Sequence, residues 1–242
     1  MSCNFSISHY QEIIRNFQKD HQFIFFDQAK KTQGRFVILR HDIDYSLKKA
    51  LKMAQIDKSL NIKATFFILI SCPYYNLFEI KSLAIIKQIC LLGHQIGLHY
   101  DGAMIENLNI SPQIFLKNTV KYLEKIIQTK IAVLAQHNPA ETKKIILPTG
   151  YLDAYSTQFT HNIKYLSDSC QKWHDGCLCR MSEKYPQLQI LIHPYLWSEK
   201  SLKLDQLRRQ VTKEKIQEFK DWERFFKKMN IQRNRQISSK LA

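Results

Sequence analysis

Phe36-Val37-Ile38-Leu39-Arg40-His41-Asp42-Ile43-Asp44 is the stretch on which the fold turns. Its four apolar residues read as a buried strand, and the polar residues after them stand where such a strand ends. Two residues further on, Ser46 is an N-cap for a helix expected to run through Leu60, with Leu47, Ala50, Leu51 and Ala54 on one face. The same alternation recurs along the chain. Ala64 to Ile70 is a second β-branched and aromatic run, Phe78 to Leu92 has helical spacing, and Gln95 to Leu98 is a third candidate strand. Ser111-Pro112 opens a helix expected to reach about Thr129, with the proline where a helix tolerates it. Ile131 to Ala135 is a fourth strand, and Ile163 to Leu166 and Leu188 to Ile192 are a fifth and a sixth. Alternating strands and helices imply parallel strands joined by crossovers, in a doubly wound sheet or a barrel. With six glycines in all, the chain has no G-x-G-x-x-G and no P-loop, which favours an α/β fold of the barrel type.

The 242 residues are 45% hydrophobic and 24% charged, proportions of a globular chain, and their length suits one barrel-like domain over residues 1–242. The longest apolar run, Phe66 to Ile70, is far too short for a membrane span, and Met1 to Phe17 shows no secretory signal, so a cytoplasmic protein is expected. Charge is less ordinary. The formal net charge is +15, residues 201–242 hold twelve basic against five acidic residues, and the stretch from Leu202 to about Met229 is amphipathic, with Leu204, Leu207, Val211, Ile216, Phe219 and Phe226 as its apolar side. Such a tail is either a solvated helix face or an attraction to an anionic membrane surface or a phosphorylated substrate. No zinc-finger spacing or RNA-binding motif supports a specific nucleic-acid partner. The six cysteines are expected to be reduced thiols. Cys170, His174, Cys177 and Cys179 offer soft donor atoms, but their spacing is not that of common zinc knuckles, and they read as incidental loop residues.

The chemistry is concentrated directly after the apolar runs. The first is followed by His41-Asp42-Ile43-Asp44, the third by His99-Tyr100-Asp101, the fourth by Gln136-His137-Asn138, the fifth by Asp168 and the sixth by His193. In parallel α/β folds these strand ends share one face, so the carboxylates and imidazoles would converge on one cleft. His and Asp are the side chains that ligate divalent metals and move protons near neutral pH. Alternate residues of an extended segment point the same way, so Asp42 and Asp44 would face one pocket, where a cation on Asp44 would relieve their repulsion and leave Asp42 as a base.

Arg40-His41-Asp42-Ile43-Asp44, Gly93-His94-Gln95-Ile96-Gly97-Leu98-His99, Ser167-Asp168 with Trp173, and Leu191-Ile192-His193-Pro194 resemble the ordered motifs of the polysaccharide deacetylases, the carbohydrate esterase family 4 superfamily, in a divergent branch with an Arg-His-Asp-x-Asp motif. The resemblance spans residues 36–197. It implies a distorted (β/α) barrel with fewer than eight strands and a metal-dependent removal of N-acetyl groups from a sugar or glycan precursor. Carried over by position, Asp42 would be the general base, Asp44 and His99 metal ligands, and His193 the general acid oriented by Asp168. The expected cofactor is a divalent metal, zinc first.

Two departures stand out. Ala103 occupies the position of the family's second metal histidine, so Asp101 or His137 must supply the third ligand, and His137 is preferred because it approaches from a different strand. The family's arginine motif near the fourth strand is replaced by Gln136-His137-Asn138-Pro139. These departures sustain a rival reading, a catalytically silent barrel that binds a glycan or a partner enzyme. Trp173, Tyr195 and Trp197 are expected near the mouth, as sugar platforms or packing residues. His94 reads as a structural hydrogen-bonding residue, and His9, His21 and His161 as surface or packing residues.

Overall fold

The computed structural model describes residues 3–142 and 146–241, with the side chains of the last helix described as far as residue 232. The chain divides into two units, 1–202 and 203–242. The first unit contains helix α1 (Ile7–Gln18) and strands β1 (Gln22–Ile24) and β2 (Phe36–Ile43), followed by α2 (Leu47–Ser59), β3 (Thr65–Leu69), α3 (Ile80–Leu91) and β4 (Gln95–Asp101). Then come α4 (Gly102–Asn107), α5 (Pro112–Ile127), β5 (Val133–His137), β6 (Leu152–Asp153), α6 (Thr157–Thr160), β7 (Lys164–Ser167) and β8 (Gln187–Ile192). The strands pair in the order β6-β5-β4-β3-β2-β8-β7, and β1 lies along the first half of β2. All of these pairings are parallel.

The sheet is curled into an open barrel, as two contacts establish. Strands three apart in a flat sheet are separated by about 14 Å, yet Nδ1 of His137 at the end of β5 lies 3.7 Å from Oδ1 of Asp44 just beyond β2. Strands β6 and β8 would be about 24 Å apart if flat. Instead, Nε2 of Gln189 on β8 donates to the carbonyls of Ala154 (3.0 Å) and Phe159 (2.8 Å), in the segment that follows β6. The enclosed space is filled by Phe36, Ile38, Phe67, Val133, Ala135, Ala154, Phe159 and Ile163, with Ile24 and Phe26 joining the same cluster from β1 and the turn after it. Interior space is tight at Gly97, where an added Cβ would stand 2.6 Å from carbons of the Phe67 ring.

The strands run further than their apolar runs. Arg40, His41 and Asp42 lie inside β2 and are buried, and His99 to Asp101 belong to β4. A strand can carry these groups when each has a partner on its own face. Arg40 and Asp42 point into the barrel and bind each other. His41, one residue out of phase, points outward, stacks on Phe66 at 4.4 Å and meets Asp57 of α2 (2.8 Å), which also accepts from the Tyr10 hydroxyl of α1 (2.6 Å). His41 is therefore part of the junction between strand and helices rather than of a strand-end cleft.

The second unit contains α7 (Leu204–Leu241), longer than the stretch expected from the sequence. Phe219, Trp222, Phe225, Phe226 and Met229 form an exposed apolar stripe along it. Among the described residues, no helix is long and apolar enough to cross a membrane.

Candidate functional site

Six residues singled out in the sequence meet at the C-terminal mouth of the barrel. Asp42 and Asp44 come from β2 and its exit, His99 from β4, His137 from β5, Asp168 from the turn after β7, and His193 from the turn after β8. The curl of the sheet is what brings the outer members of this set within reach of Asp44.

One side of the site is a lone-pair cluster. His99 Nδ1 donates to the Ala135 carbonyl (2.8 Å), so the proton is held on Nδ1 and Nε2 presents a lone pair. That Nε2 lies 3.2 Å from His137 Nδ1 and 3.6 Å from Asp44 Oδ1. Burial drives the His99 pKa down, against the pull of Asp42 and Asp44, so the ring is held neutral. Asp44 Oδ1 is buried and has no hydrogen-bond partner. An unsatisfied buried carboxylate oxygen beside two imidazole nitrogens is costly on its own and suits a cation. The ligand atoms of Asp44, His99 and His137 all lie within 4.8 Å of one another, a two-histidine, one-carboxylate donor set appropriate to a divalent metal. Asp101 is not in this group. Its carboxylate caps α4, accepting from the Met104 amide (3.0 Å), and Ala103 lies in that helix.

Beside the cluster, Asp42 is gripped by Arg40, whose Nε and Nη2 donate to its two oxygens, both at 2.7 Å. Burial opposes the Asp42 charge, but the Arg40 guanidinium outweighs it and holds the carboxyl down to about 2. Arg40 lies between the rings of Phe67 (4.9 Å) and Tyr155 (4.6 Å) and also donates to the Tyr155 hydroxyl (3.2 Å). Sequence reasoning gave Arg40 no role. The spacing that put Asp42 and Asp44 on one face also puts Arg40 there, two residues earlier.

On the far side, His193 Nδ1 is 2.6 Å from Asp168 Oδ1, and its Nε2 is 3.6 Å from Asp44 Oδ2. Burial works against the imidazolium, yet the charge and hydrogen bond of Asp168, with Asp44 and Asp42 nearby, raise the His193 pKa to about 9. Asp168 is fully buried and accepts additionally from the His193 amide and from Trp197 Nε1 (2.8 Å). Trp197 is thus a buried prop for Asp168 rather than a sugar platform, its ring set against Phe5 and Tyr10. Tyr195 is also buried, beside Tyr45 (4.3 Å), and Trp173 is half-buried and stacked on Phe5. Tyr75, absent from the sequence reading, braces the Asp44 segment by donating to the Ile43 carbonyl (2.7 Å) and accepting from the Leu69 amide. His94 Nε2 bonds the Ala54 carbonyl of α2 (2.9 Å), away from the site.

No protein-family model and no curated protein matches the sequence. Solved structures do resemble it. Peptidoglycan deacetylase PdaC from Bacillus subtilis, in a mutant form, shares 15% identity at a TM-score of 0.47, covering 79% of this chain and 97% of that one. A family 4 carbohydrate esterase from Bacillus anthracis shares 13% identity at 0.41, covering 87% and 86%. BA3943, a CE4 family pseudoenzyme from Bacillus anthracis, shares 17% identity at 0.41, covering 74% of this chain, which spans only 61% of the pseudoenzyme. The chain is an open, distorted (β/α) barrel, and the solved structures it is similar to include a peptidoglycan deacetylase, a family 4 carbohydrate esterase and a CE4 family pseudoenzyme.

Proposed function

We propose that the chain is a metal-dependent hydrolase that removes an N-acetyl or other acyl group from a sugar or polysaccharide precursor by cleaving a linear amide C–N bond. The observation that carries this reading is the division of labour around Asp44, with three lone-pair donors on one side and a charged His193–Asp168 pair on the other. Asp44, His99 and His137 would hold a divalent ion, zinc being well suited to a carboxylate and two imidazoles. A bound ion there supplies Lewis acidity to an acyl oxygen. Asp42 takes a proton from the attacking water, since each of its oxygens keeps a second lone pair after Arg40 is satisfied. Arg40 keeps that carboxylate ionised and fixes its plane. His193, kept protonated by Asp168, delivers the Nε2 proton to the departing amine as the C–N bond breaks, so the products are a free amine and a carboxylate.

A second reading, a silent barrel that binds a glycan or a partner enzyme, has specific support. Both oxygens of Asp42, the proposed base, are tied to a buried guanidinium, and Ala103 stands where the resemblance leads one to expect a ligand. Two measurements separate the readings: metal content of wild type and of the His99→Ala and His137→Ala variants, and acetate release from N-acetylated sugar oligomers. Metal lost in both variants, with acetate release abolished by His193→Ala, is the expected result. A folded wild type that binds no metal through these residues and releases no acetate would establish the silent barrel.

For the tail, we propose that α7 lies on an anionic membrane face. Its surplus of basic residues and its apolar stripe of Phe219, Trp222, Phe225, Phe226 and Met229 are the pairing found in interfacial helices.

A further inference from the structure

We propose that Cys3, His9, Cys177 and Cys179 form a structural zinc site separate from the lone-pair cluster at the barrel mouth. In the sequence Cys170, His174, Cys177 and Cys179 read as incidental loop residues, and His9 as a surface or packing residue; the fold joins two of these cysteines to residues from the other end of the chain. The N-terminal segment brings Cys3 and the first turn of α1 brings His9 to the Cys177-Leu178-Cys179 turn, 168 residues away along the chain. Their four ligand atoms all lie within 4.8 Å of one another.

Two of the separations are close to the edges of a tetrahedral zinc site. With Zn–S near 2.3 Å and Zn–N near 2.0–2.1 Å, a regular tetrahedral site has S···S edges of roughly 3.8 Å and N···S edges of roughly 3.6 Å. The Cys3 and Cys179 sulfurs are 3.6 Å apart, and His9 Nε2 is 3.2 Å from the Cys177 sulfur. The second nitrogen of His9 is also accounted for. Its Nδ1 is 3.0 Å from Glu12 Oε2, one turn further along α1, which holds the proton on Nδ1 and turns the Nε2 lone pair towards the sulfurs. This carboxylate–histidine arrangement is the outer shell that zinc-binding histidines use. His9 and Cys177 are buried while Cys179 is half-buried and Cys3 exposed, so an ion has a way in. Three thiolates and an imidazole leave no open position, and the softness of sulfur selects zinc over magnesium or calcium, which marks a structural rather than a catalytic site.

Zinc there would staple together two segments that back the candidate site. Phe5, two residues after Cys3, stacks on Trp173 and lies against Trp197, the residue that donates to Asp168. The inference does not depend on the proposed catalytic function.

The test uses the full-length protein purified under reducing conditions and reconstituted with cobalt, whose thiolate complexes give charge-transfer absorption in the near ultraviolet and intense tetrahedral bands in the red. Wild type and His99→Ala are both expected to show these features, and Cys177→Ser and Cys179→Ser to lose them. Because a cysteine variant can fail to fold, a second readout uses wild-type zinc protein alone. Titration with a mercurial should release zinc in step with modification of three of the six thiols. Absence of thiolate-to-cobalt charge transfer in folded wild type would overturn the proposal. So would a Cys3–Cys179 disulfide in reduced preparations, or mercurial modification of all six thiols without release of zinc.

Discussion

Replacing Arg40 with methionine is expected to destabilise the barrel by about 4 kcal/mol. Arg40 is fully buried and Asp42 is 2% exposed, and the substitution removes both 2.7 Å hydrogen bonds that hold the carboxylate. Breaking a buried pair from one side costs about 3–5 kcal/mol, because the remaining charge is left without compensation. Loss of the cation–π contacts with Phe67 and Tyr155 adds about 0.5–1 kcal/mol each, partly offset by the packing of the methionine. Removing both charges, in Arg40→Met with Asp42→Leu, should recover most of the loss, since a buried ion pair replaced by apolar groups of similar volume is often close to neutral. Urea unfolding followed by circular dichroism reads both effects. With a slope of about 2 kcal/mol per molar, the single variant should unfold at roughly 2 M less urea than wild type. The reasoning is refuted if Arg40→Met stays within about 1 kcal/mol of wild type, or if the double variant is less stable than either single one. The result also governs how activity is read, since Asp42→Asn weakens the same pair and its rates need correction for the folded fraction.

Four other outcomes are expected. Gly97→Ala should cost about 1–3 kcal/mol, because its Cβ would collide with the Phe67 ring, and Phe67→Leu in the same chain should relieve it, as thermal melting would show. Tyr10→Phe should cost about 1.5–3 kcal/mol by removing a hydrogen bond to the buried Asp57 carboxylate, and an unchanged denaturation midpoint would deny that junction its weight. In metal-free protein the His193 imidazole should titrate at about 9 and move down in Asp168→Asn, read by NMR. Since the folded value is the raised one, the stabilisation from this pair is fully present below about pH 6.5 and is lost as pH rises through about 9. Full-length protein should bind anionic vesicles with steep salt dependence, and a chain ending at residue 201 should not; equal binding by neutral vesicles would refute the electrostatic role of α7.

Much of the barrel was legible because the apolar runs and helical spacings mark β2 to β5, β7 and β8 directly. The short strands were not. β6 has two residues and β1 three, too few for any periodicity, and each exists because an established strand offers it a partner. The strand ends were read too early for the same reason that Arg40 was overlooked. Hydrophobicity marks where a strand is apolar, whereas Arg40, His41 and Asp42 continue β2 because each meets its complement on its own face. The metal-ligating candidates were visible as histidines and aspartates near strand ends. Their convergence depends on sheet curvature, which no local pattern records. The Cys3–His9 contribution was invisible in principle, since the chain separation between its halves exceeds any motif spacing.

Across the barrel interior, opposite parts of the sheet are tied by a side chain rather than by a ladder. Gln189 reaches from β8 to the carbonyls of Ala154 and Phe159, which precede it by 35 and 30 residues. A hydrogen-bonded ladder would set the girth of the mouth by register, which changes only in whole-residue steps. Here the tie is a single fully buried amide whose two bonds are not repeated along a ladder. The barrel is closed on that side like a hoop held by one clasp, while Asp42, His99 and His137 sit on strands held by continuous pairing.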